Sequence, residues 1–149
     1  MKKSGKEQTI TNRRASFDYN LGKDLVVGMV LTGAEVKAAR LGHVQLKGSY
    51  VTIKDGELWL INASFSLPSQ NPNEGRSVDT RSRKLLAHKK QIAQFIQDKN
   101  DGLTIVPLKM LTGGRHIKLV IASGRGKKAY DKRQAIKQRD IKRETKKML

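Results

Sequence analysis

SYVTIKDGELWLINAS, residues 49–64, reads as two short strands about a two-residue Asp55-Gly56 turn. Both central residues of such a turn need positive φ, and Asp-Gly meets that need at low cost. The turn sets a register in which Lys54 faces Glu57, Ile53 faces Leu58 and Val51 faces Leu60. Charges then pair on one face while apolar residues line the other. Outward from this hairpin, Leu25–Leu31 (LVVGMVL) reads as a buried, Val-rich strand. Leu103–Leu111 and His116–Ala122 read as a second hairpin around Thr112-Gly113-Gly114-Arg115, with Pro107 at an edge or a bulge. Five to seven strands in meanders, with two or three helices, predict a mainly β chain closed as a small antiparallel barrel.

Two helices interrupt the strands. Thr32-Gly33-Ala34-Glu35 matches a capping box, in which the Thr oxygen accepts from the Glu35 amide and the carboxylate reaches back. The helix it starts runs to about Leu41 and ends at Gly42. A second helix is predicted over Thr80–Asp98, with Leu85, Ile92, Phe95 and Ile96 on one face. Arg81, Arg83, Lys84, Lys89 and Lys90 cover much of the rest, and Asn100-Asp101-Gly102 stops it. Residues 67–79, rich in Pro, Asn, Ser and Gly, are expected to be a mobile loop.

Charge identifies the class of partner. Lys and Arg number 31 against 13 acids, a net +18 on 149 residues. Residues 124–149 hold eleven basic residues and three acids, so that short segment carries +8. It has few large apolar groups, and cannot offset its own ordering entropy by burial. The expected organisation is a basic arm over 1–8, a folded body over 9–124 and a basic tail over 125–149. Such charge points to a polyanion. The absence of Cys excludes disulfides, Cys-ligated zinc and thiol catalysis. His43, His88 and His116 stand alone, without metal-ligand spacing, and no Gly-x-Ser-x-Gly nucleophile motif occurs. The expectations are no enzyme activity, no metal and no cofactor. No apolar run approaches ~18 residues, and the N-terminus lacks a signal-peptide apolar stretch. A cytoplasmic chain without membrane contact is expected.

Basic clusters near both ends of the chain carry the binding chemistry. Asn12-Arg13-Arg14-Ala15 lies near the N-terminus. Ser123-Gly124-Arg125-Gly126-Lys127-Lys128 lacks the spacing of a P-loop. It fits a flexible hinge, and equally a backbone that approaches RNA phosphates because Gly has no side chain. Tyr130 stands among basic residues, placed to stack on a base, which is worth ~1–3 kcal/mol.

Together these stretches resemble the SsrA-binding protein (SmpB) family. The likeness lies in Asn12-Arg13-Arg14-Ala15, in Leu31-Thr32-Gly33-Ala34-Glu35-Val36-Lys37 with Arg40, and in Arg81-Ser82-Arg83-Lys84-Leu85-Leu86 with His88-Lys89 and Ile92. It continues through Gly126-Lys127-Lys128-Ala129-Tyr130-Asp131-Lys132-Arg133, Ile136-Lys137 and Arg139-Asp140. Departures are Ala38-Ala39, Ala87, Lys90 and a short end after Arg143. The resemblance implies an oligonucleotide-binding-like barrel with packed helices. It implies a factor that binds the tRNA-like part of transfer-messenger RNA (tmRNA) and brings it to stalled ribosomes, with no catalysis of its own. The tail is implied to be disordered when free and helical in the vacant mRNA channel.

The implied tmRNA contacts are Asn12, Arg13, Arg14, Glu35, Lys37, Arg40, Lys84, Leu85 or Leu86, Gly126, Lys127 and Lys128. The implied contacts with the ribosomal decoding centre and mRNA channel are Tyr130, Asp131, Lys132, Arg133, Lys137, Arg139, Lys142 and Arg143. Glu35 stays open between two roles, capping its helix and touching RNA. The implied partners are tmRNA and the ribosome, and the implied state is a monomer. A general RNA-binding module held by charge and an RNA-processing enzyme are the competing readings.

Overall fold

A computed structural model describes residues 9–69, 73, 75–127, 133, 136, 137 and 139. In chain order the elements are β1 (Thr9–Thr11), α1 (Arg13–Asp18), β2 (Tyr19–Met29), α2 (Gly33–Arg40) and β3 (Val44–Gln45). Then come β4 (Tyr50–Lys54), β5 (Glu57–Ile61), β6 (Ser64–Pro68), β7 (Arg76–Asp79) and β8 (Arg83–Leu86). α3 (Lys89–Asn100), β9 (Thr104–Leu111) and β10 (Lys118–Gly126) complete the body.

The β4–β5 hairpin has the register its turn requires, Val51 opposite Leu60, Ile53 opposite Leu58 and Lys54 opposite Glu57. Asp55 and Gly56 have φ of 54° and 75°. Strands β9, β10, β2, β8, β5 and β4 form an antiparallel ring, closed by the pairing of Val51 with Ile105. Closure needs local bends, and bulges supply them. Val120 faces Lys109 but Ile121 faces Pro107, so Leu108 is the extra residue. Pro107 thus sits at a bulge, where its missing N–H costs the ladder little. The second bulge lies in β2, where Ala122 faces Asp24 and Gly124 faces Leu21. Val51, Leu58, Leu60, Leu85, Ile105, Met110, Leu119 and Ile121 fill the interior. A smaller sheet, β3-β6-β7, continues from β5, with Asn62 turning the chain at a φ of 67°. α2 packs on β6 through buried Ala38 and Ala39, and α3 packs on β9 with Phe95 buried.

Several expectations change. The helix predicted over Thr80–Asp98 begins only at Lys89, and residues 83–86 form β8. β8 pairs with β2 on one side and β5 on the other, filling a gap that would leave two ladders open. Tertiary pairing overrides local helix preference there. Helix α3 starts where the Gln91 side chain accepts from the His88 N–H at 2.9 Å, and it runs to Asn100 before the Asp101-Gly102 turn. The loop expected over 67–79 is shorter, because β7 returns antiparallel to β6 with Pro68 opposite Arg76. β2 runs from Tyr19 to Met29, so it starts earlier than the strand predicted over 25–31 and leaves Val30 and Leu31 outside it. Strand β10 runs to Gly126, past the Ala122 end predicted for that strand. The described tail residues Arg133, Ile136, Lys137 and Arg139 have helical backbone and are exposed.

Candidate nucleic-acid interface

The β2–β10 ribbon organises two basic regions, one at each end. At one end, Gly126 pairs with Tyr19 and Arg125 with Asn20. The Lys127 N–H then donates to the Asp18 carbonyl at 2.8 Å. This bond brings the Gly126-Lys127 junction against α1, which carries exposed Arg13 and Arg14. Arg14 lies 5.1 Å over the Phe17 ring and 3.5 Å from the Asp18 carboxylate. Asn12 is buried and anchors this arm. Its Nδ2 donates to the Pro107 carbonyl and its N–H to the Leu108 carbonyl, both at 2.8 Å. The bulge at Leu108 disturbs the local ladder, and Asn12 satisfies carbonyls there. Its Oδ1 is buried without a hydrogen-bond partner among the described residues.

At the other end, Lys118, Gly28 and Leu86 stand in register across β10, β2 and β8. Leu85 points into the barrel at 2% exposure, while Leu86 is 51% exposed. Leu86 is therefore the member of that pair that lies at the surface. An open cleft of about 400 Å³ lies here, with Val26, Leu86, His88, Gln91 and Lys118 in its lining. Lys84 alternates with Leu86 along β8 and pairs with Glu57 at 3.0 Å. Glu57 was expected to pair with Lys54 across its hairpin, yet this ion pair runs to the neighbouring strand. β10 has nine residues, so at a strand rise of ~3.3 Å the two ends of the ribbon lie roughly 26 Å apart.

Glu35 sits beneath this surface, 1% exposed. Both halves of its capping box form, with Thr32 N–H to Oε1 at 2.9 Å and Glu35 N–H to Thr32 Oγ1 at 3.2 Å. Arg81 donates to both carboxylate oxygens at 3.0 and 2.6 Å, and Arg83 Nε donates to Oε2 at 2.8 Å. Burial alone would push the Glu35 carboxyl up. The Thr32 amide and the Arg81 and Arg83 guanidiniums outweigh it and hold the group below its ordinary value. Burial lowers the Arg83 guanidinium and Arg81 adds to that, against the opposing pull of Glu35 and Asp79. Arg83 is fully buried and stacks 3.8 Å from the Phe65 ring centroid. Of the two roles left open for Glu35, the geometry fills the cap and adds an internal ion pair. The carboxylate is not presented at the surface.

Lys37 is exposed on α2. Arg40, one turn on, spends its guanidinium on the protein. Nη1 donates to the carbonyls of Thr112 and Gly114 at 3.1 and 2.9 Å, and Nη2 to that of Arg115 at 3.0 Å. Lys128, Tyr130, Asp131, Lys132, Lys142 and Arg143 lie outside the described residues. Arg133, Lys137 and Arg139 are exposed.

Sequence reasoning placed Arg83 on the outside of a helix, and the structure places it at the centre of the α2–β8 contact. Hydropathy carries no period-two signal there, because each face of the strand takes one cation and one leucine. Arg83 and Leu85 point in while Lys84 and Leu86 point out, as alternation along a strand demands.

The family profile described as SmpB protein matches residues 9–149. An SsrA-binding protein of Lysinibacillus sphaericus is 46% identical over 134 residues, covering 89% of this chain and 86% of that one. An SsrA-binding protein of Prochlorococcus marinus is 43% identical, covering 97% and 91%. A solved chain reported under "tmRNA-SmpB: a journey to the center of the bacterial ribosome" superposes with a TM-score of 0.67 at 36% identity. It covers 86% of this chain and 94% of its own.

Proposed function

This chain belongs to the SmpB family of SsrA-binding proteins, and from that premise we propose that it binds the tRNA-like domain of tmRNA and delivers it to stalled ribosomes for trans-translation. The observation that carries this reading is the Lys127–Asp18 backbone bond. It joins two basic clusters from opposite ends of the chain into one patch of Arg13, Arg14, Arg125 and Lys127. A folded RNA offers phosphates, 2′-hydroxyls and exposed loop bases, and such a patch reads them by shape and charge. Leu86 and the cleft beside it offer apolar cover at the far end of the ribbon.

Body and tail divide the work. The barrel and α1 hold tmRNA. The tail enters the mRNA channel when no message fills it, where RNA phosphates neutralise charges that repel one another in free solution. Tyr130 stacks on a decoding-centre base while Lys132, Arg133, Lys137, Arg139, Lys142 and Arg143 meet phosphates. Asp131 orients its basic neighbours or accepts from a base. The protein acts as a cytoplasmic monomer and the ribosome performs the bond chemistry. No helix among the described residues is long and apolar enough to cross a membrane.

The deciding experiment is competition between the tRNA-like domain of tmRNA and bulk tRNA over a salt series. Preference for tmRNA, with affinity falling log-linearly in salt, is the expected result. Equal affinity for both RNAs refutes selective binding and leaves a module held by charge alone.

A further inference from the structure

We infer that the loop over residues 112–116, between β9 and β10, is a phosphate-binding element and that Arg40 is its positioning residue. The inference rests on the RNA-binding reading above and adds a site to it. The peptide unit is planar and trans, so each carbonyl opposes the N–H of the next residue. The carbonyls of Thr112, Gly114 and Arg115 all point at the Arg40 guanidinium. The amides of Gly113, Arg115 and His116 therefore point away from it. None of the three has a hydrogen-bond partner among the described residues. Arg115 and His116 are exposed and Gly113 is half-buried, so the loop lies at the surface.

Neighbouring amides turned outward beside a cation make an anion site. The cation is Arg115, and Lys118 follows on β10, in register with Gly28 and Leu86. No acidic residue occurs in sequence between Asp101 and Asp131 to compete for the donors. Gly114 contributes no side chain over the amides. The loop thus extends the Leu86 end of the ribbon with donors suited to the oxygens of a phosphodiester. Arg40 reaches that phosphate only through the loop it shapes, because its terminal nitrogens are already held by three carbonyls.

The phosphodiester belongs either to tmRNA or to ribosomal RNA, and one experiment separates these sources. Binding of the full chain to the tRNA-like domain and to vacant ribosomes is measured over a salt series for wild type, Arg115→Ala, Arg40→Ala and the double variant. Losing one phosphate contact lowers the salt slope by about one. Arg115→Ala is expected to do so on one of the two RNAs, which names the source. Arg40→Ala is expected to produce the same loss, and the double variant no more than either single one, since both act on one contact. A drop of about two in the double variant means that Arg40 holds its own phosphate and overturns its positioning role. An unchanged slope for Arg115→Ala on both RNAs overturns the site. Arg115 is exposed, so that arm stands even where Arg40→Ala unfolds the loop. Wild type that fails to prefer tmRNA over bulk tRNA refutes the function proposed above, while the Arg115 slopes still decide the loop.

Discussion

Replacing Glu35 by Ala strands Arg83. The Arg83 guanidinium is fully buried, and Glu35 supplies its carboxylate partner at 2.8 Å. Removing one member of a buried pair costs about 3–5 kcal/mol, because the other charge stays desolvated. The same substitution deletes half of the α2 capping box, a change worth ~1 kcal/mol by itself. Against a total stability of about 5–15 kcal/mol this is a large fraction. For a chain of this size it lowers Tm by on the order of 10 °C. Arg81→Ala is the contrasting control. Its side chain is 45% exposed, and a solvent-screened ion pair contributes ~0–1 kcal/mol. Replacing Glu35 and Arg83 together by Met should recover most of the loss, since no charge remains buried. Urea unfolding monitored by circular dichroism reads all four proteins. pH adds a check of sign. Glu35 titrates below its ordinary 4.5 in the folded chain. Its stabilisation is therefore complete above that value and is lost as pH falls through the depressed one. The stability gap between wild type and Glu35→Gln should close in acid. A Glu35→Ala protein within 1 kcal/mol of wild type, or a gap that widens in acid, would refute the buried-pair account.

Other consequences are equally direct. A Cβ at Gly124 would lie 2.7 Å from the Asn20 carbonyl oxygen, a backbone atom fixed by the β2–β10 ladder; Gly124→Ala should cost about 1–3 kcal/mol in thermal melts. Gly33→Ala meets nothing within 4 Å at the start of α2 and should be neutral or slightly stabilising, by less than ~1 kcal/mol. Deleting residues 134–149 should leave tmRNA affinity within a few-fold and abolish tagging on stalled ribosomes in a reconstituted assay; full tagging by the truncated protein would remove the tail from the mechanism. Changing Asp131-Lys132-Arg133 to alanines should likewise spare tmRNA binding in a gel-shift titration and block rescue.

Sequence alone determined the features whose physics is local. Asp55-Gly56 set a register because a two-residue turn leaves the chain one way to return, and Thr32-x-x-Glu35 started a helix because its orphan amides lie within reach of those side chains. The missing N–H of Pro107 confined it to an edge or a bulge, and net charge pointed to a polyanionic partner. The family pattern was legible for the same reason, as short runs at fixed spacing. Residues 83–86 were not legible. Their composition suits a helix, and only the vacancy between β2 and β5 makes them a strand. That same pairing decides the site. It sends Arg83 inward to Glu35 and Leu86 outward to the surface, a choice made by the alternation of β8 and invisible to helical periodicity. Tertiary structure also decided which cations are held by the protein and which face solvent. Arg40 and Lys37 look alike in sequence, yet one is bound by three carbonyls contributed by a loop more than seventy residues away, and the other faces solvent.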